Sequence, residues 1–372
     1  MRRHNLGRIV SLVHRERSLS RAELTRATGL NRSTVSALVA ELVALRLLRE
    51  DEPTGARGVG RPSPVVSGAD AATAIAVHPE MDAVTVGIVR LGGEVTERIR
   101  HEVDRPPTVG EAVEIAARCV EQLRATLPDG RVAGIGVAVP GLVRAADGIV
   151  TLAPHLEWRD APLAELLAQA TGLTVSVAND ATLGARAERM FGAGRGIRDL
   201  VYLNGGASGI GGGIIAGGTV LGGVTGYAGE FGHTFSTEAG DALEDVVNRA
   251  ALVHAVGLTL PTDAALEQAL RASSDPAVAA LVRHQARTLA RGLAGTINIL
   301  NPQRVLLGGF LGTLLELQAD ALHDAVRERA LAPALVEVEI ARAHLGDDLL
   351  MIGAAELVFD RIVDEPLAFA GA

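Results

Sequence analysis

Gly226-Tyr227-Ala228-Gly229-Glu230-Phe231-Gly232-His233 places two polar side chains, Glu230 and His233, three residues apart between glycines. They offer an acceptor and a ring that donates or accepts, a set suited to neighbouring hydroxyls. Taken alone, a structural role reads equally well. Upstream, Val175-Ser176-Val177-Ala178-Asn179-Asp180-Ala181 is a strand ending on an amide beside a carboxylate. That pair can grip adjacent hydroxyls of a sugar, and the carboxylate can act as general base toward one of them. The same two residues also make a turn or a helix cap. Between these segments lies Asn204-Gly205-Gly206-Ala207-Ser208-Gly209-Ile210-Gly211-Gly212-Gly213-Ile214-Ile215. Its glycines let backbone amides approach a phosphate or sugar, and they equally suit a tight hairpin.

These segments sit in an α/β pattern. The runs 73–77, 84–89 and 95–103 read as strands. Val113, Ala116, Ala117, Val120 and Leu123 form one face of a helix, and 132–139 reads as a buried strand. The glycine-rich region at 201–220 opens a second half of similar kind. This predicts two α/β lobes with a ligand cleft between them. At 372 residues the chain has room for two or three domains. Hydrophobic residues make up 48% but aromatics only 2%, so Ala, Val, Leu and Ile must fill the core.

The first 65 residues differ from the rest. Leu6, Ile9, Val10 and Val13 recur at helical spacing. Ser20-Arg21-Ala22-Glu23 is a capping box for a short second helix that ends at Gly29. Asn31 caps a third, with Val35, Leu38, Val39, Leu42 and Leu45 as its apolar stripe. Two helices joined at a tight glycine turn predict a helix-turn-helix whose second member enters the major groove by its N-terminal end. Arg32, Ser33, Thr34 and Ser36 lie at or near that end, where Arg reads guanine and Ser or Thr meets base edges or phosphates. Beyond Leu48, a glycine-rich stretch with Arg57 and Arg61 reads as a β-wing whose tip meets phosphates or the minor groove, or else as a flexible linker.

Charge follows the same division. Residues 1–64 hold 12 Arg against 6 acids, a net of +6, while the remaining 308 carry a net of -15. A basic head on an acidic body fits a nucleic-acid-binding domain joined to something else. The single Cys119 excludes an intrachain disulfide and a cysteine metal cluster. No apolar run approaches the ~20 residues of a membrane helix, and no signal-peptide stretch follows Met1. A cytoplasmic location without membrane partners is therefore expected.

Together, and in this order, the three glycine-flanked segments resemble the ROK family (repressors, open reading frames and kinases), whose members share an actin-like, two-lobed sugar-kinase fold. The resemblance covers nearly the whole chain. Ala138-Val139-Pro140-Gly141 resembles the family's strand-to-loop turn. Ala153-Pro154-His155-Leu156-Glu157-Trp158 resembles its sugar-side loop, with His155 where Asn is often found. Val177-Ala178-Asn179-Asp180 is similar to its Asn-Asp element, with Ala178 in place of Glu, and Gly229-Glu230-Phe231-Gly232-His233 to its Glu-x-x-His element. A winged head is what the family's repressor branch carries, as in xylose and N-acetylglucosamine repressors.

Two departures stand out. Family kinases open the first lobe with an Asp-x-Gly-Gly-Thr phosphate loop; here that place reads Ile75-Ala76-Val77-His78-Pro79-Glu80-Met81. No glycine pair admits a phosphate, Pro79 lacks an amide donor, and Glu80 repels the nucleotide. Phosphoryl transfer depends on such positioning and neutralisation. The family's zinc site pairs the His of Glu-x-x-His with three Cys, but His233 is followed by no Cys at all, and Ala242 stands in the place of the last. A structural zinc needs such ligands, so no metal is expected. Glu244 resembles the sugar-contacting Glu beyond that cluster.

The resemblance thus implies a winged helix-turn-helix over 1–65, a first actin-like lobe over 70–190 completed by a C-terminal helix at 347–365, and a second lobe over 191–346. It implies a sugar-responsive repressor, not an enzyme, with operator DNA and a small sugar or sugar derivative as partners, no cofactor, and a homodimer or homotetramer as the working state. Asn179, Asp180, Glu230, His233 and Glu244 are expected to line one pocket between the lobes. Two alternatives remain: an active ATP-dependent sugar kinase with a DNA-binding head, which Asp180 and the glycine hairpin favour, and a repressor controlled by a partner protein.

Overall fold

Leu6, Ile9, Val10 and Val13 share one face of α1 (Arg2–Glu16), and all four are buried. The computed structural model describes residues 1–51, 64–127, 132–234, 240–259 and 261–371. After α1 come β1 (Ser18–Ser20), α2 (Arg21–Thr28) and α3 (Arg32–Ala44). Ser20 accepts from the Glu23 amide while the Glu23 carboxylate accepts from the Ser20 amide, so the capping box is closed at both ends. α2 stops at Gly29, whose φ of 70° is left-handed, and Asn31 caps α3 by accepting from the Thr34 amide. β2 (Leu48–Asp51) and β3 (Val65–Gly68) pair antiparallel, and β3 also takes β1, giving the order β1-β3-β2. Three helices and this sheet make a winged helix. Arg57 and Arg61, expected at the tip of a wing, lie outside the described residues.

The chain divides into two compact units. The first comprises Met1–Val143, Asp147–Ala178 and Leu350–Ala372. Beyond the head it contains β4 (Thr73–Pro79), β5 (Ala83–Arg90), β6 (Glu94–Glu102), α4 (Val109–Thr126), β7 (Ile135–Val139), β8 (Leu142–Val143), β9 (Val150–Ala153), β10 (Trp158–Ala161), α5 (Leu163–Thr171) and β11 (Val175–Asn179). β4, β5 and β6 form an antiparallel meander, β7 joins β4 in parallel, and the sheet runs β11-β7-β4-β5-β6. β4, β5 and β7 are buried along nearly their whole length, as strands covered on both faces must be. The charged β6 blunts the edge against pairing with other chains.

The second unit, Asn179–Leu349 with Arg144–Ala146, repeats the plan. It holds α6 (Asp180–Phe191), β12 (Leu200–Gly206), β13 (Gly209–Ala216), β14 (Thr219–Val220), α7 (Leu243–Val246), α8 (Arg249–Ala255), α9 (Asp263–Ala272), α10 (Pro276–Leu300), β15 (Arg304–Gly309), α11 (Phe310–Leu317), α12 (Ala319–Arg327) and β16 (Glu339–Arg342). Its sheet runs β14-β13-β12-β15-β16, an antiparallel meander followed by two parallel strands. Counted from its own first strand, each sheet has the order 3-2-1-4-5, so one actin-like lobe occurs twice. Glu188 of α6 is fully buried here: one carboxylate oxygen accepts from the Ala193 amide at 2.7 Å, the other from His344 at 2.7 Å and Leu345 at 2.8 Å.

α13 (Leu349–Asp364) starts at the end of the second unit and runs through the first. Gly136 of β7 admits it: a Cβ there would fall 1.8 Å from the Ala354 carbonyl oxygen. The same helix meets α1. A Cβ on Gly7 would fall 2.1 Å from the Val363 carbonyl oxygen, and His14 Nε2 lies 2.8 Å from Glu356 Oε1.

Candidate functional site

Alternate glycines of β13 decide where the polar groups go, because successive strand positions face opposite sides. Gly211 and Gly213 face α6: a Cβ on Gly213 would stand 2.6 Å from the Ala185 Cβ and 2.7 Å from the Ala181 carbonyl oxygen, and one on Gly211 2.9 Å from the Ala181 Cβ. Gly212 faces the other way, where a Cβ would come within 2.2 Å of the Phe231 ring. One strand therefore seats the N-terminus of α6 on one face and the 229–233 segment on the other. The glycine run that suggested close approach of a ligand serves close approach of the protein's own elements.

The N-terminus of α6 carries Asn179 and Asp180. The Asn179 side-chain oxygen caps the helix by accepting from the Thr182 amide at 2.9 Å. Asp180 Oδ1 accepts from the Ala181 amide at 2.7 Å and from Asn179 Nδ2 at 3.2 Å. On the other face, Glu230 is half-buried and precedes the 3-10 turn Phe231–His233, whose histidine is exposed. His233 Nδ1 lies 3.5 Å from Glu244 Oε1, while Glu244 Oε2 accepts from the Ile210 amide at 3.1 Å. Gly209 and Gly232 make room for that carboxylate; a Cβ on either would stand 2.4 or 2.6 Å from Glu244 Oε2.

Burial holds the Glu230 carboxyl above the usual carboxylate range; His233 draws it back down, and Asp180 and Glu244 push it further up. Asp180, Glu230, His233 and Glu244 thus share one electrostatic neighbourhood. Three carboxylates around one imidazole disfavour an anion and suit a polyol, whose hydroxyls donate to carboxylates. Among the described residues no group of His, Cys, Asp and Glu is arranged to hold a metal. His155 and Glu157 lie exposed at the 3-10 turn Pro154–Leu156 of the first unit. Surface depressions beside Glu267 and Arg271, and beside Arg105 and Glu111, include none of these residues, and their charged groups pair with one another.

On the head, Arg32 and Ser33 are exposed at the N-terminal end of α3 and Thr34 is half-buried. The Ser33 hydroxyl donates to Asn31 Oδ1 at 2.8 Å. Ser36 is tied into the head's own framework: it accepts from Arg21, whose guanidinium grips both oxygens of Glu50 on β2. Arg8 of α1 donates to the Ala27 and Thr28 carbonyls at the C-terminal end of α2. Sequence spacing gave no sign of Arg8, Arg21 or Glu50, since each finds its partner on another element.

A sequence profile of the ROK family matches residues 80–361, and one of the MarR family matches residues 7–58. The chain belongs to the ROK family. A xylose repressor of Caldicellulosiruptor bescii is 26% identical over 94% of this chain and 93% of its own length. A glucokinase of Halalkalibacterium halodurans is 32% identical over 60% of this chain and 76% of its own. A crystal structure described as a ROK family transcriptional regulator, homolog of E. coli MLC protein, shares the fold over 100% of this chain and 99% of its own, with a TM-score of 0.78 at 23% identity. Winged head and actin-like ROK body thus recur together in one solved chain.

In this ROK body the turn between β4 and β5 is built from Pro79, Glu80, Met81 and Asp82, closed by the Glu80 amide donating to the Ala83 carbonyl at 2.7 Å. The Glu80 carboxylate accepts from the Thr85 hydroxyl at 2.7 Å. Arg100 lies 2.9 Å from Asp82 and 3.9 Å from Glu80. His78 Nδ1 pairs with the Ala138 carbonyl at 2.9 Å. The turn presents two acids, and the cation beside them is committed to both.

Proposed function

We propose that this chain is a sugar-responsive transcriptional repressor that binds operator DNA through α3 and the wing and senses a sugar or sugar derivative with Asn179, Asp180, Glu230, His233 and Glu244, without phosphorylating it. The observation that carries this reading is the joining, in one chain, of a capped helix with exposed Arg32 and Ser33 to a ROK body whose β4–β5 turn is acidic. A nucleotide phosphate needs amide donors and cations; this turn offers Pro79, Glu80 and Asp82 instead. The alignment with a xylose repressor over 94% of the chain supports the same assignment and points to an aldose as effector.

The likeness to glucokinases favours the kinase alternative, and one experiment separates the two. Purified full-length protein is given ATP and magnesium with D-xylose, D-glucose or N-acetyl-D-glucosamine, and each sugar is also tested for a thermal shift. Expected is a shift with at least one sugar and no sugar-dependent ADP release. Turnover near 1 s⁻¹, within the usual range of enzymes, would make the protein a kinase. No shift with any sugar, together with operator binding, would favour control by a partner protein.

A further inference from the structure

The elements joined by α13 run from the candidate effector site to the DNA-reading head. The link begins on α6. Its first residue, Asp180, belongs to the site; two turns on, Glu188 binds the amides of His344 and Leu345 with one carboxylate oxygen. Gly184, between them, gives room to Leu349, whose Cδ2 would stand 3.3 Å from a Cβ there. Residues 344–349 are thus fastened to α6, and at Leu349 the chain becomes α13. One helix therefore carries the end of the second unit into the first.

Seven residues into α13 stands Glu356, paired with His14 of the head. The Gly92 amide donates to His14 Nδ1 at 2.8 Å, so Nδ1 is the acceptor and the ring proton sits on Nε2, donating to Glu356. Both side chains are 3% exposed or less, and Phe359 packs against the imidazole with ring centroids 5.0 Å apart. Apolar side chains of similar size commonly hold a buried interface as well as such a polar pair does. What the polar pair adds is direction: it closes in one orientation of α1 against α13 and Gly92.

We propose that His14 and Glu356 are positioning residues for the DNA response. They lock the head to α13 in one orientation, so that a shift of α6 on effector binding is delivered through Glu188, residues 344–349 and α13 to α1 and thence to α3. The proposal rests on the sugar-responsive reading. An effector works only by its differential affinity for two states, and this chain of contacts supplies the element whose two positions it selects.

The test uses full-length protein, a duplex it selects from a random-sequence library, and whichever of D-xylose, D-glucose or N-acetyl-D-glucosamine shifts the wild type. In wild type the sugar changes duplex affinity by about 5–150-fold. The double variant His14→Leu/Glu356→Leu keeps sugar affinity within about threefold, but its sugar-dependent change in duplex affinity falls below about twofold. Glu356→Gln, which still accepts from Nε2, keeps the wild-type response. Amide hydrogen exchange on wild type, needing no variant, shows altered protection along α1 and at Gly92 when sugar binds. A double variant that responds like wild type, or unchanged exchange in α1 and at Gly92, overturns the proposal while the functional reading stands. A wild type that binds its duplex identically with every sugar overturns both.

Discussion

Asn179 makes the helix cap that a strand-end Asn-Asp allows. The Asn179 oxygen caps α6, and that cap fixes the direction in which the pair points. Spacing alone left cap and sugar grip undivided because one geometry serves both. Glu188 was not legible at all: a Glu inside an amphipathic helix reads as surface, yet one of its carboxylate oxygens takes its partners from His344 and Leu345, the first of them 156 residues away. Glu188→Gln turns a donating amide toward a backbone N–H and costs about 1–3 kcal/mol in denaturant unfolding; a neutral result would mean its amide partners find another acceptor. Glu230 makes the sharper prediction. Its folded carboxyl sits above the ordinary 4.5, raised first by burial. It binds its proton more tightly folded than unfolded, so this contribution is present below about 4.5 and lost as pH rises through the folded pKa. Glu230→Gln therefore raises the melting temperature of effector-free protein at pH 7 by roughly 1–3 °C, with the gain vanishing toward pH 4. It also weakens sugar binding by about tenfold through the lost charged acceptor. A lower melting temperature would assign Glu230 to holding the fold.

The helices of the head were legible because caps, a turn glycine and a buried stripe are local signals, and α1 to α3 follow them closely. β4 to β6 were legible for the same reason. β1 was not, since three residues become a strand only when β3 comes to lie beside them. Ser36 marks the same limit: its hydroxyl oxygen accepts from Arg21 of another element, a tie that its position on α3 did not reveal. Arg32→Ala is expected to weaken specific operator binding by roughly 1–3 kcal/mol, read in a gel-shift titration. Identical footprints for Arg32→Ala and Thr34→Ala would take α3 out of the groove. On β13, Gly213→Ala sets a methyl against Ala181 and Ala185, so α6 must move. A loss of about 1–3 kcal/mol in stability follows, together with a weakened sugar response. Retention of both would separate α6 from the site.

Across the whole molecule, the two similar α/β lobes and the winged head were readable from pattern and motif together, while the strand order of each sheet came only with the fold. The packing of α13 on both β7 and α1 was not, because Gly7 and Gly136 show their purpose only beside Val363 and Ala354. One reading head per chain makes few base contacts, so a dimer or a dimer of dimers is expected, with half-sites about one helical turn, ~34 Å, apart or a multiple of that. Because no Cys follows His233, tag-free protein should contain well under one zinc per chain; stoichiometric, chelator-resistant zinc would assign the 233–244 region a metal role. On the proposed reading, sugar occupancy changes DNA affinity without chemistry on the sugar. Fluorescence-anisotropy titration of the selected duplex by full-length protein, with and without D-xylose, D-glucose and N-acetyl-D-glucosamine and with no nucleotide present, measures it directly. The expected result is a change in Kd of about 5–150-fold with at least one sugar. A duplex affinity that no sugar alters unless ATP is added would contradict it.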